Sequence, residues 1–273
     1  MLRARTPAQA LASTLRCYWE MQSMNVRSRL SYARDTWLES LLFMIQQFAG
    51  LMLLWVIFTR VRTIAGWSLP EMAFLYALQI LSMSLYRLMF QGVRDTTALV
   101  AQGTFDMILT KPRHPLLLLT CRRSNTNGLA DLVFGIAVLL SASARMDFVW
   151  TVERVLLLFL FVVSANVLII GLMTAQAAIS FWLIRFTALH DIIMAVREFT
   201  FYPLSIYGAG IRILMYTAIP LAFASYIPAA VLLGKDDIPF EWWIAPPLVA
   251  LACLMGAIGV FQLGLRSYKS TGS

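Results

Sequence analysis

The sequence FTFYPLSIYGAGIRILMYTAIPLAFASYIPAAVLLG, residues 199–234, is apolar enough to enter a bilayer and yet is broken repeatedly. Pro203, Pro220 and Pro228 each remove a backbone donor, and Gly208 and Gly210 loosen helix geometry just before Arg212. In hydrocarbon, the backbone groups freed in this way must find partners inside the protein. Such a stretch belongs in the interior of a helical bundle or beside a cavity, whereas a plain membrane anchor needs no breaks.

The remainder of the chain agrees with that solvent. Of 273 residues, 60% are hydrophobic and only 13% charged, with a mean hydropathy of +0.74, which predicts an all-α polytopic membrane protein. The formal charge of +8 does not make the chain a nucleic-acid binder, because its basic residues lie between apolar runs and form no basic face with stacking aromatics. Cys17, Cys121 and Cys253 show no ligand spacing or disulfide framework, and His114 and His190 are isolated, so no metal site is expected. His190 beside Asp191 is no acid–base pair, since adjacent helix residues do not face each other. The arginine-rich start (Arg3, Arg5, Arg16, Arg27, Arg29 and Arg34) holds no apolar core of signal-peptide length, so the spans themselves are expected to insert the chain.

Hydropathy divides the chain into a basic segment 1–36, a transmembrane domain 37–265 and a short tail 266–273. From about Leu11 to Leu30 the spacing reads either as an amphipathic helix lying on the cytoplasmic surface before the first span or as a mobile basic tail. Six transmembrane helices are expected at about 41–59, 72–90, 128–144, 155–180, 212–233 and 244–265. Roughly fifteen Lys or Arg then fall inside and about five outside, with both termini cytoplasmic. The segment holding Arg185, His190, Asp191 and Arg197 is expected to bend along the cytoplasmic interface. Lys235, Asp236, Asp237 and Glu241, followed by Trp242 and Trp243, suit the outer side. Splitting residues 212–233 at Pro220 into two crossings fails on length, although a re-entrant turn at 226–228 stays open. Arg87 and Asp131 fall at similar depth, where they either pair or each snorkel alone.

Residues 91–127 form the polar loop between spans two and three. Within it, TTALVAQG reads as a short amphipathic helix ended by Gly103, and TFDMILTKP as a second turn with Thr104 as its cap and Pro112 at its end. Such a loop either packs on the membrane surface or offers a short helix to a partner.

The chain has no G-x-x-x-x-G-K-[ST] loop, H-E-x-x-H, G-x-S-x-G or paired intramembrane aspartates, and no chain of buried ionisable groups for proton coupling. A transporter built this way takes its energy from another subunit. The segments AQGTFDMILTKPRHPLL (101–117), FYPLSIYGAGIRILMYTAIPLAFASYIPAAVLLG (201–234) and GLRSYKSTGS (264–273) resemble the permease subunits of export-type (type-2) ABC transporters. That resemblance implies six spans, an interfacial helix before the first and a dimeric translocation unit on separate ABC ATPase subunits. The second permease would be a related chain, or else a second copy of this one. ATP and magnesium would sit on the ATPase, so this chain would bind no cofactor and be no enzyme itself.

Carried over by matching position, Thr97, Leu99, Val100, Gln102, Gly103, Phe105, Asp106, Lys111 and Pro112 would form the coupling helix and its close. Tyr202, Pro203, Tyr207, Arg212, Tyr216, Pro220, Tyr226 and Pro228 would shape the helix beside the translocation path, with interfacial anchoring as the alternative for each tyrosine. The expectation is a multi-pass subunit of the bacterial plasma membrane, in contact with its lipids, that exports an amphiphilic or hydrophobic compound. Lipid or glycolipid export is the alternative within the class, and a membrane enzyme or structural assembly subunit the alternative outside it.

Overall fold

A chain of this hydropathy satisfies its backbone most readily within helices. The computed structural model, which describes residues 7–31, 33–183, 188–235 and 238–268, contains helices and one isolated bridge between Ile64 and Trp67. Arg3, Arg5, Arg185, Asp236, Asp237 and Lys269, on which parts of the charge reading rest, lie outside the described residues. Helix α1 (Pro7–Ser31) precedes α2 (Ala33–Phe58). Helix α3 (Leu69–Leu85) runs on through a π turn at Tyr86–Phe90 and a 3-10 turn at Gln91–Asp95 into α4 (Thr96–Ala101). There follow the short α5 (Asp106–Leu109) and α6 (Pro115–Thr120), then α7 (Asn127–Ser143) and α8 (Val152–Ile179). The chain finishes with α9 (Ala188–Glu198), α10 (Ala209–Tyr216), α11 (Tyr226–Leu233) and α12 (Ala245–Ser267).

Among the described residues, four stretches are long and apolar enough to cross a membrane: 34–58, 69–101, 152–179 and 240–267. Helix α7 is apolar but has only 17 residues. Helix α3 is the centre of the bundle, buried at Met72 and throughout 74–84. The most extensive pairings are α8 with α12 and α3 with α7. The second depends on Gly128, where an added Cβ would run into the backbone of Ser84 and Leu88 on the facing helix. By contrast, α2 leaves Trp37, Leu41, Leu42, Ile45, Phe48 and Trp55 exposed, an apolar face for lipid or another subunit.

Two expectations are corrected. Residues 212–233 are not one transmembrane helix, because α10 and α11 have eight residues each, about 12 Å of helix apiece. Pro220 interrupts the α-helix between them, and only a 3-10 turn at Leu221–Phe223 intervenes. Residues 220–232 are buried throughout, so these breaks face protein. Nor does residue Arg197 lie on an interface. Ile193, Val196, Arg197 and Thr200 are all buried, and Phe201 packs on Tyr76 of α3 with ring centroids 4.9 Å apart. The spacing of Ile193, Val196 and Thr200 places them along one helical face, which carries the chain into the bundle.

The ends of the bundle are tied. Gly234 closes α11 in the left-handed conformation, φ 65°. Lys235 Nζ then lies 2.9 Å from Glu71 Oε1 and donates to the Gly66 carbonyl at 3.1 Å. Glu71 also accepts from the Ser68 amide at 2.7 Å, so one carboxylate starts α3 and holds the end of α11. On α1, Gln22 donates to the Met89 carbonyl at 2.6 Å and Asn25 to the Cys121 carbonyl at 2.7 Å, which fastens that helix to the loop after α3.

Gly128→Ala should destabilise the purified protein by about 1–3 kcal/mol through overpacking. Gly259→Ala, where an added Cβ meets nothing within 4 Å, should be close to neutral. Thermal unfolding in detergent compares the two, and equal melting temperatures would contradict the close approach of α3 and α7.

Candidate functional site

A carboxylate at the depth of Asp131 must be paired, because an unpaired charge out of water is far too costly to hold. Asp131 is fully buried, and Arg87 Nη1 lies 2.9 Å from its Oδ2. Gln47 of α2 donates to Oδ1 at 3.2 Å, and Tyr76 donates in turn to the Gln47 carbonyl at 2.7 Å. The Arg87 guanidinium also sits 4.5 Å from the centre of the Phe43 ring. Helices α2, α3 and α7 thus meet on one ion pair.

Arg87 lies in the π turn, where the wider winding changes the direction of the side chains that follow and leaves backbone amides to be satisfied. Asn166 of α8 meets that need. Its Oδ1 accepts from the Leu85 and Tyr86 amides at 2.8 and 3.3 Å, while its Nδ2 donates to the Leu81 and Val162 carbonyls at 2.9 Å.

Beside the pair is a cavity of about 340 Å³, bounded by α2, α3 and the chain from Arg197 to Tyr202. Gln46, Gln47, Tyr76, Arg87, Arg197, Glu198 and Tyr202 supply polar groups, and Phe43, Leu53, Leu54 and Phe201 supply apolar wall. Of the residues expected beside the path, only Tyr202 lines this cavity. Pro203, Pro220 and Pro228 are buried elsewhere, and Arg212 is exposed on α10. Tyr207 packs on Phe199, Tyr216 on Phe223 and Tyr226 on Trp67. Sequence reasoning missed Gln47, Tyr76 and Arg197. A cation within the Ile193, Val196, Thr200 stripe was the available signal for the last of these.

Beyond the same end of α3, the loop expected to couple divides into two faces. Leu99, Val100, Phe105 and Ile108 are buried with Leu119, Ala178, Phe181 and Phe261 in a second core. Phe105 meets Phe181 and Tyr268 edge-on, with centroids 5.1 and 5.2 Å apart. Gly103 turns the chain at φ 68°, a conformation that suits glycine, and its amide donates to the Val100 carbonyl at 3.1 Å. Thr104 does not cap α5. Its hydroxyl donates back to the Leu99 carbonyl at 3.4 Å, and Phe105 is the residue that precedes the helix.

Gln102, Lys111 and Pro112 are exposed, as are Met107 and Leu109, which the sequence reading left out. Asp106 is half-buried. Thr97 faces a pocket of about 300 Å³ shared with Arg94, Asp95, Gln176, His190 and Asp191. Among the described residues, no three His, Cys, Asp or Glu side chains converge as ligands to a metal would.

A family model described as "ABC-2 family transporter protein" matches residues 44–272. Comparison with curated proteins and with solved structures finds no match.

Arg87→Gln strands the buried Asp131 charge and should cost about 3–5 kcal/mol, whereas Arg87→Met with Asp131→Leu should recover much of that loss. Melting temperatures of the single and double variants test this. A double variant no more stable than Arg87→Gln would mean that the stranded charge is not the cause.

Proposed function

Since the chain belongs to the ABC-2 transporter family, and is thus a membrane permease served by a separate ABC ATPase, we propose that it carries an amphiphilic or hydrophobic compound outward across a bacterial plasma membrane. The observation that carries the coupling part of this reading is the two-faced loop at 96–112. Its buried face, centred on Phe105, fixes the loop to the C-terminal ends of α8 and α12. Its exposed face offers Gln102, Met107, Leu109, Lys111 and Pro112 to a partner. An ATPase can move a permease only through an element that is rigid towards the bundle and complementary towards the ATPase.

In this reading both termini are cytoplasmic, and α9 to α11 together replace the single fifth crossing of a six-span arrangement. ATP and magnesium belong to the ATPase. The apolar exposed face of α2 supports a second permease alongside, related or identical, with lipid covering what remains. Lipid export is the second reading. A crevice of about 170 Å³ between α2, α3 and α7, walled by Phe48, Trp55, Leu69 and Pro70 with Arg145 at its edge, has the character of an acyl-chain site.

Gly103→Pro removes the amide that closes the turn, and Asp106→Lys reverses a charge on the loop. Each should lower ATP-dependent export, read as uptake into inverted vesicles, by about tenfold or more while leaving membrane insertion intact. Met107→Glu with Leu109→Glu should release the ATPase on co-purification. Unchanged efflux and unchanged co-purification across this set would overturn the coupling assignment.

A further inference from the structure

The cavity beside the ion pair contains a second buried guanidinium with no ion-pair partner among the described residues. Arg197 is only 6% exposed, and its Nε has no hydrogen-bond partner. No carboxylate of the described residues lies within ion-pair distance of its guanidinium. Asp131 is committed to Arg87 at 2.9 Å and to Gln47 at 3.2 Å. Glu198 lines the same cavity, but it is exposed, follows Arg197 directly on the helix and forms no ion pair with it. Asp131 and Glu198 act on it only at a distance, and the Phe201 ring lies 5.6 Å from the guanidinium carbon. That distance is near the outer limit for a cation–π contact, which is too weak by itself to offset desolvation of a guanidinium.

A guanidinium in such a place suits a planar or tetrahedral oxyanion, to which it can offer two parallel N–H donors. The surroundings add what an anion needs. Arg87 brings a second guanidinium to the cavity, Gln46 and Gln47 bring amides, and Tyr76 and Tyr202 bring hydroxyl-bearing rings. Phe43, Leu53, Leu54 and Phe201 form the apolar wall, and Ile45 and Phe48 lie exposed on the same helix, α2. A volume of about 340 Å³ holds a headgroup and the first part of a chain, not an entire large amphiphile.

We propose that this cavity binds the anionic headgroup of an amphiphile, a carboxylate or phosphate, with Arg197 as its main charge partner, Arg87 as a second donor and the Phe43 and Phe201 rings against the first carbons. The proposal rests on the transport reading for its meaning, because it assigns the cargo class as anionic amphiphile. The binding it describes can be measured without transport.

The test uses the full chain in phosphatidylcholine nanodiscs and follows intrinsic tryptophan fluorescence. Dodecyl phosphate and dodecanoate should bind about ten- to a hundredfold more tightly than dodecanol or dodecyltrimethylammonium. Arg197→Gln should abolish that preference, and Arg197→Lys should keep part of it. Melting temperatures near that of the parent would show that both variants are folded. Equal binding of all four probes, preference for the cationic probe, or an undiminished preference in folded Arg197→Gln would overturn the proposal. Inorganic phosphate binding as tightly as dodecyl phosphate would also overturn it.

Displacement of dodecyl phosphate by phosphatidylglycerol would identify a membrane lipid as the source, and failure of that lipid to compete would point to a separate cargo. Both outcomes support the shared headgroup chemistry. Co-purification of the ATPase and ATP-driven efflux test the transport reading separately. Efflux without anion preference would therefore defeat only the site, and anion preference without an associated ATPase would defeat only the transport reading.

Discussion

Arg87 and Asp131 are charges in a part of the molecule where neither can be left alone, and much of the bundle is arranged so that they meet. The pair joins α3 to α7, Gln47 adds α2 to it, and the π turn that holds Arg87 requires Asn166 from α8 to satisfy its backbone. In a low-dielectric interior each of these contacts is worth little beyond the desolvation it offsets, but removing one member exposes the whole penalty. The pair therefore acts as a register mark. It fixes how far α3, α7 and α2 can slide on one another, and Gly128 lets α3 and α7 come close enough for it to form.

The two ends of α3 are held by different physics. At Glu71 a single carboxylate accepts the Ser68 amide and pairs with Lys235. Beyond Asp95, edge-on aromatic contacts of Phe105 with Phe181 and Tyr268 bind the loop to α8 and to the end of α12. Because α3 runs without a break through the π and 3-10 turns into α4, a displacement of that loop bears directly on the segment that carries Arg87. Tyr76 and Arg87 line the cavity with Arg197, so the candidate coupling surface and the candidate binding site share one continuous helical element.

Legibility in the sequence followed the range of the interaction concerned. Long apolar runs were readable because helix length and hydropathy are local, and the runs expected at about 155–180 and 244–265 fall on α8 and α12 to within a few residues. Gly103 was readable as a helix stop for the same reason. The division of the loop expected to couple was not, since Phe105 is an anchor only because Phe181 and Tyr268, far away in sequence, meet it. Met107 and Leu109 were overlooked because an apolar residue on a short helix reads as buried until the neighbouring elements are placed.

The sequence by itself determined that the chain is helical, that most of it faces an apolar solvent, that residues 199–234 must be broken and enclosed, and that its own residues lack a nucleotide-binding loop. Those are consequences of composition, periodicity and the chemistry of proline. The tertiary structure decided that the break at Pro220 leaves two short helices, that α9 turns into the bundle, and that Arg197 comes to rest beside Arg87 and Tyr76. These depend on which distant groups satisfy freed backbone atoms and buried charges, and no local pattern specifies those partners.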